Sequence, residues 1–240
     1  MNIQQLLARR SDLGTFLVHL TREYPKGKSA KQNLQSMLDD SVIEARNPFG
    51  VALSRLNKLK ATTPENLCTQ NVVCFTETPL EHVHLLTEEI QGRKFEFSPY
   101  GIAITKRTAR MFNVNPIWYI DITWGHTWLA NYLDGIIDPE IQNNTFAVSD
   151  IAKLTPFIET MGQGPTYFKE YWWEREWRHV GDYALQFNKF LIICPEEDFQ
   201  EVSNVSNASI KVTPFIDPIW SLEQIIGRLA GFKSEDIDPF

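Results

Sequence analysis

Tyr171-Trp172-Trp173-Glu174-Arg175-Glu176-Trp177-Arg178-His179-Val180 crowds two carboxylates, two guanidinium groups and three indoles into a few positions. Aromatic side chains dominate burial, whereas charged ones seldom go inside unpaired, so this stretch demands partners. Its second half reads as β-strand. With a period of two, Glu174, Glu176 and Arg178 share one face, and Arg175, Trp177 and His179 share the other. Two readings follow. One is a surface strand whose charges pair with neighbouring strands; the other is a catalytic Glu-x-Glu at the mouth of a strand.

Working outward, the other segments divide between strands and helices without a regular βαβ alternation. Residues 2–10 predict a short helix. Thr15–Thr21 reads as a first strand, with Phe16, Val18 and Leu20 on one face and Leu17, His19 and Thr21 on the other. Ser29 with Gln32 forms a capping box for a helix to about Leu38, and Val51–Leu59 predicts another. Residues 60–70 read as polar connection. Val72–Thr76 has the short apolar character of a central strand. It leads into Thr78-Pro79-Leu80-Glu81, where Thr78 suits a helix cap and Pro79 the first helical position. Gly101–Thr105 and Pro116–Asp121 read as strands around a basic helix from Lys106 to about Phe112. Helices are expected over 124–134 and 148–161, separated by a polar Pro139–Thr145 loop. Met161–Pro165 reads as a flexible lid or linker. Lys189–Cys194 and Ser209–Thr213 read as strands, Leu222–Leu229 as the last helix before Gly231, and the acidic tail as frayed. The expectation is an α+β fold with a mixed or antiparallel sheet, in a single domain over 1–240.

The chain has 240 residues, enough to bury a substantial core, and 43% hydrophobic with 22% charged residues suits a globular protein without a membrane span. No apolar run approaches the ~20 residues that a spanning helix needs. The N-terminus lacks the apolar core of a signal peptide, so a cytoplasmic location is expected. A net charge of −7 argues against a broad nucleic-acid-binding surface, while leaving room for a local basic groove. Cys68, Cys74 and Cys194 show no paired spacing and read as small buried residues. His82 and His84 point apart on a helix, and no metal is expected. P-loop, GxGxxG, HExxH and GxSxG patterns do not occur.

Taken together, Val18-His19-Leu20-Thr21, Cys74-Phe75-Thr76-Glu77-Thr78-Pro79-Leu80, Tyr100-Gly101-Ile102, Asn115-Pro116-Ile117-Trp118-Tyr119 and Glu174-Arg175-Glu176-Trp177-Arg178 form an ordered series. This series resembles the AbiGi family of abortive phage-resistance proteins, over most of the chain from Phe16 to the final helix. It is similar also to bacterial domains with an FT-x-x-P strand and a late E-x-E-W-R. The layout in turn resembles the ADP-ribosyltransferase fold, with split mixed or antiparallel sheets flanked by helices. What the resemblance implies is a cleft that splits NAD as a substrate. Glu176 would be the catalytic glutamate and Glu174 its companion two residues earlier. His19 and Thr21 would lie on the ribose-binding first strand. Either Thr76 with Thr78, or Tyr100, would shape the nicotinamide site, and Arg178 would pair with Glu176 or hold a phosphate of NAD.

The chemistry suits such residues, because cleaving the nicotinamide–ribose bond builds positive charge on the sugar that a fixed carboxylate stabilises. The resemblance implies an NAD-dependent toxin in phage defence, acting on a protein or on RNA or DNA. Lys26, Lys28, Lys106, Arg107 and Arg110 would supply a local basic surface, and Trp172, Trp173 and Tyr100 stacking rings. An antitoxin or regulatory protein is the implied partner. A non-enzymatic antitoxin or sensor is the alternative, and a metal-dependent nuclease using Glu174 and Glu176 a third reading.

Overall fold

Ser29 Oγ accepts from the Gln32 N–H at 3.2 Å, and the Gln32 side chain accepts from the Ser29 N–H at 2.9 Å. The expected capping box therefore starts a helix, which runs over Ala30–Asp40 in the computed structural model. The structure describes residues 13–89, 96–125, 127–163, 168–186, 188–206 and 213–237. The helix expected over 2–10 and most of the strand expected over Ser209–Thr213 lie outside them. The architecture is mixed α+β, with mixed and antiparallel sheets flanked by helices. By its internal contacts the chain gathers into two compact units, each woven from separated segments.

The first unit takes the chain up to Val42, Phe75–Ala109, and Ala184 onward. Its sheet places Phe16–Leu20 beside Gly101–Thr105, antiparallel, with Val18 opposite Ala103 and His19 opposite Ile102. Val18 also pairs with Thr76 at the end of Asn71–Thr76. On the far side Gly101–Thr105 pairs antiparallel with Phe190–Ile193, which runs parallel to Phe215–Ile216. Val18, Leu20, Ala103, Leu191, Ile193 and Ile216 pack with Leu80, Val83, Leu86, Trp220 and Ile225. Leu80, Val83 and Leu86 come from a 3₁₀ helix, Leu80–Thr87, and Ile225 from the Leu222–Leu229 helix, which opens with a second capping box, Ser221 with Gln224; Trp220 lies just before that box. Leu17, Ile102, Ile104 and Ile192 are also fully buried, so the sheet is apolar on both faces as central strands require.

The second unit takes Ile43–Cys74 and Arg110–Tyr183. Asn47–Pro48 pairs with the start of Asn71–Thr76, which neighbours Glu176–Val180, which pairs antiparallel with Asn115–Pro116. A separate sheet joins Trp118–Asp121, parallel, to Ile158–Gln163, and that strand antiparallel to Phe168–Lys169. Val51, Leu56, Leu133, Ile137, Ile141, Phe146 and Ile158 form its core. Arg55, on the Val51–Lys58 helix, donates to Asp138 and lies 3.1 Å from Asp134, both on the Trp128–Gln142 helix. Gly50 precedes Val51 at φ +105, and a Cβ there would collide with the Thr155 carbonyl. Only glycine meets both demands.

Several local expectations are corrected here. Residues 60–70 contain a short helix, Pro64–Cys68, capped by Thr63. The strand expected over Pro116–Asp121 is two strands serving different sheets. Pro139 lies inside the Trp128–Gln142 helix, not in a loop; it sits one turn from the end, where a missing N–H costs little continuity. The helix expected over 148–161 stops at Leu154, and Ile158–Gln163 is strand, including Met161-Gly162-Gln163 of the expected lid or linker. Thr78 does not cap a helix: its hydroxyl pairs with that of Thr76 at 2.9 Å. The tail forms a short helix, Ser234–Ile237, whose Ile237 packs on the core. Cys68 is exposed, whereas Cys194 is buried as expected. No helix among the described residues is long and apolar enough to cross a membrane.

Candidate functional site

The stretch at 171–180 does not run as one strand. Trp172–Glu174 is a 3₁₀ turn, and Arg175 closes it in the left-handed region at φ 46. The strand begins only at Glu176. The alternation that places Glu176 and Arg178 on one face holds, but it does not extend back to Glu174. A left-handed residue reverses the local direction of the chain, and the two-residue period resets there. Trp172 and Trp173 are surface rings, 54% and 37% exposed. Their indole N–H groups are tethered to Glu170, one on its side chain at 2.6 Å and one on its carbonyl at 3.0 Å. Trp177 is half-buried.

Arg178 is the centre of the cluster and is 1% exposed. Its Nε and Nη2 donate to the two carboxylate oxygens of Glu176 at 2.7 and 2.9 Å, a bidentate fork. Nη2 also reaches Glu159 Oε2 at 3.0 Å, and Nη1 donates to the Pro156 carbonyl at 2.7 Å. The guanidinium lies over the Phe49 ring, 5.3 Å from its centre. Lys169 Nζ holds the other oxygen of Glu159. Burial works against both charges, but the pairing prevails. Arg178 is held above its ordinary pKa by Glu176 and Glu159, and Glu159 below its own by Arg178 and Lys169. Withdrawal from water, followed by the neighbouring Glu176, pushes the Cys74 thiol well up, so it is a neutral group.

Tyr119, on the Trp118–Asp121 strand of the separate sheet, adds a phenol. Burial first, then the carboxylates of Glu176 and Glu174, push its pKa up. Both glutamates of the Glu-x-Glu thus act on one neutral hydroxyl, although they leave the backbone from different elements. Chemically, the arrangement offers a carboxylate fixed at both oxygens, a second carboxylate nearby and a protonated phenol.

The other five sequence-predicted residues belong to the first unit. His19 is half-buried and meets Phe75 edge-on, ring centres 5.9 Å apart. Thr21 is 3% exposed, with its hydroxyl 3.0 Å from the carbonyls of Ala30 and Tyr100. Those contacts tie the first strand to the start of the Ala30–Asp40 helix. Thr76 and Thr78 bond to each other, and Glu77 pairs with Lys106 at 2.6 Å. Tyr100 donates its hydroxyl to Asp198 at 2.6 Å, and Asp198 also accepts from Lys31 at 2.7 Å. Burial and that bond to Asp198 raise the pKa of the Tyr100 phenol.

Sequence reasoning missed Glu159, Lys169, the Pro156 carbonyl and Phe49 as parts of the cluster. Glu159 stood in a segment read as helix, and no local pattern marks a carboxylate that pairs with an arginine 19 residues later. Arg178 was expected at Glu176 or at a phosphate. Its donors are directed at two carboxylates and a carbonyl, so its place is with Glu176. No group of three or more His, Cys, Asp or Glu residues among the described residues is arranged to hold a metal ion. Comparison of the chain with protein-family models, with curated proteins and with solved structures finds no match.

Proposed function

We propose that this chain is an NAD-dependent ADP-ribosyltransferase acting as a toxin in phage defence, with NAD as its substrate and a nucleic acid or protein as acceptor. The observation that supports the reading is the fixing of Glu176. Its carboxylate stands at the first residue of a strand, its side chain is 14% exposed, and the Arg178 fork grips both oxygens. A carboxylate that does not need to reorganise stabilises positive charge better than a solvated one. In the proposed reaction the C1′–nicotinamide bond breaks and nicotinamide leaves with the electron pair. Glu176 faces the sugar as charge develops there. The acceptor nucleophile forms the new bond to C1′, and Glu174 takes its proton. The exposed faces of Trp172 and Trp173 suit a flat heteroaromatic ring. Arg178 is already engaged within the protein, so the diphosphate of NAD is not assigned to it.

Incubating the purified chain with NAD labelled in the adenylate moiety, together with RNA, DNA or cell lysate, should transfer label to a macromolecule. Glu176→Gln should lower transfer by about a hundredfold or more, and Glu174→Gln should lower it less, with circular dichroism unchanged in both. Absence of transfer from folded wild type with every acceptor class, or transfer indifferent to Glu176→Gln, would overturn the proposal.

A further inference from the structure

The Trp128–Gln142 helix is apolar on one side and uncharged on the other. Leu133, Ile137 and Ile141 are buried in the core of the second unit, with Leu129 packed against it. The opposite side carries Trp128, Asn131, Tyr132, Gly135, Ile136, Pro139 and Gln142, all exposed. At 100° per residue these cover a stripe about 140° wide along the whole helix. None of its exposed residues is charged, in a chain of net charge −7. Asp134 and Asp138, at its margin, are paired with Arg55. Trp128 is 73% exposed, Tyr132 64% and Ile136 38%; Val148, 80% exposed, flanks the C-terminal end. Single exposed apolar residues need no explanation, but a continuous uncharged stripe with two large rings does.

We infer that this stripe is the interface of a symmetric dimer, in which the Trp128–Gln142 helix packs antiparallel against the same helix of a second copy. Three features select a second copy over other occupants. First, Gly135 lies midway between Trp128 and Gln142, and a Cβ there would meet nothing within 4 Å. A two-fold axis passing through Gly135 lets the backbones approach closely, and the same patch then faces itself, as an isologous contact requires. Second, Trp128 and its partner's Gln142 both stand about 10 Å from that axis at 1.5 Å per residue. Each indole therefore falls beside the other copy's mixed hollow of about 440 Å³, bordered by Ile136, Val148 and Ile151 on its apolar side and by Glu140, Ser149 and Asp150 on its polar side. Third, rings that bury about 150–250 Å² each, with Ile136, Val148 and the uncharged positions, bring the two copies together to about the 1,200 Å² at which specific interfaces begin. A lipid surface would call for unpaired lysine or arginine beside the stripe, whereas Arg55 at its margin is engaged by Asp134 and Asp138, and a charged partner would call for a counter-charge on it. The stripe holds neither.

Sedimentation velocity on the full chain between about 1 and 100 µM tests this. The expected result is a weight-average mass rising from monomer to dimer with concentration. Tyr132→Glu should remain monomeric throughout, with unchanged circular dichroism, and Trp128→Arg should behave alike. In a Cys68→Ser background, which removes the exposed thiol, Gly135→Cys should give a disulfide-linked dimer on mild oxidation, because equivalent residues at a two-fold axis lie within disulfide reach. A mass fixed at monomer across the range would overturn the inference. So would a dimer that survives Tyr132→Glu, or a monomer that binds phosphatidylcholine vesicles through the stripe.

Discussion

Arg178 in the second unit and Lys31 in the first both hold two carboxylates, with opposite consequences. Arg178 is 1% exposed and binds Glu176 and Glu159 through a rigid planar fork. Lys31 binds Asp198 and Glu201 at 2.7 and 2.9 Å, with its side chain 25% exposed and that of Glu201 60%. Water and salt substitute for the lysine at the surface, and side-chain entropy offsets most of the attraction. Inside, nothing substitutes for the arginine. The same formal arrangement therefore fixes buried carboxylates in one unit and lies at the surface in the other; dielectric environment, more than the number of ion pairs, decides which.

The largest break in that comparison is Arg178→Met, which leaves Glu176 and Glu159 without their shared guanidinium in a water-poor site. Chemical denaturation should register a loss of about 3–5 kcal/mol. A value below about 1 kcal/mol would place Arg178 in the same class as Lys31.

Acid titration gives a second, smaller contrast. Glu159 has a folded pKa held below its ordinary 4.5, against the push of burial, by Arg178 and Lys169. A depressed folded pKa means that the unfolded chain binds the proton first. The stabilisation is thus fully present above pH 4.5 and is lost as pH falls through the folded value. Asp198 is lowered in the same direction by Lys31 and then Tyr100, but closer to water. Melting between about pH 6 and 3 should show a shallower acid loss in Glu159→Gln than in wild type, and 1 M salt should barely alter the Glu159 part. An identical slope in the variant would remove Glu159 from the account.

Tyr100→Phe deletes one part-buried hydrogen bond to Asp198, and thermal melts should show a loss of about 1 kcal/mol. Labelled-NAD transfer in this variant also separates two roles. Retained activity would leave Tyr100 with a packing duty, whereas a rise in KM without loss of stability would return it to the substrate site. Smallest of all, Lys31→Ala should leave Tm unchanged within measurement in 0.15 M salt, and a clear destabilisation would show that its pairing is less screened than its exposure implies.

The elements legible in the sequence were those with local causes. The Ser29–Gln32 box, the apolar run ending at Thr76 and the amphipathic Leu222–Leu229 each carry their own signal and stand where expected. Misreadings fell where a distant partner overruled a local rule. Ile158–Gln163 is strand because Trp118–Asp121 pairs with it. Pro139 sits inside a helix whose buried side, Leu133, Ile137 and Ile141, is held by the core. Glu174 left the expected face because Arg175 turned left-handed.

By itself, the sequence determined the α+β character, the capped helices and the density of charge around Glu176. Those follow from periodicity, capping chemistry and composition, which act over a few residues. Only the tertiary structure decided that Arg178 is buried, that Glu159 and the Pro156 carbonyl complete its shell, and that Tyr100 and Thr21 are engaged in fixed hydrogen bonds. Each of those depends on which groups share a water-poor volume. No spacing in the chain encodes that, because desolvation is a property of packing.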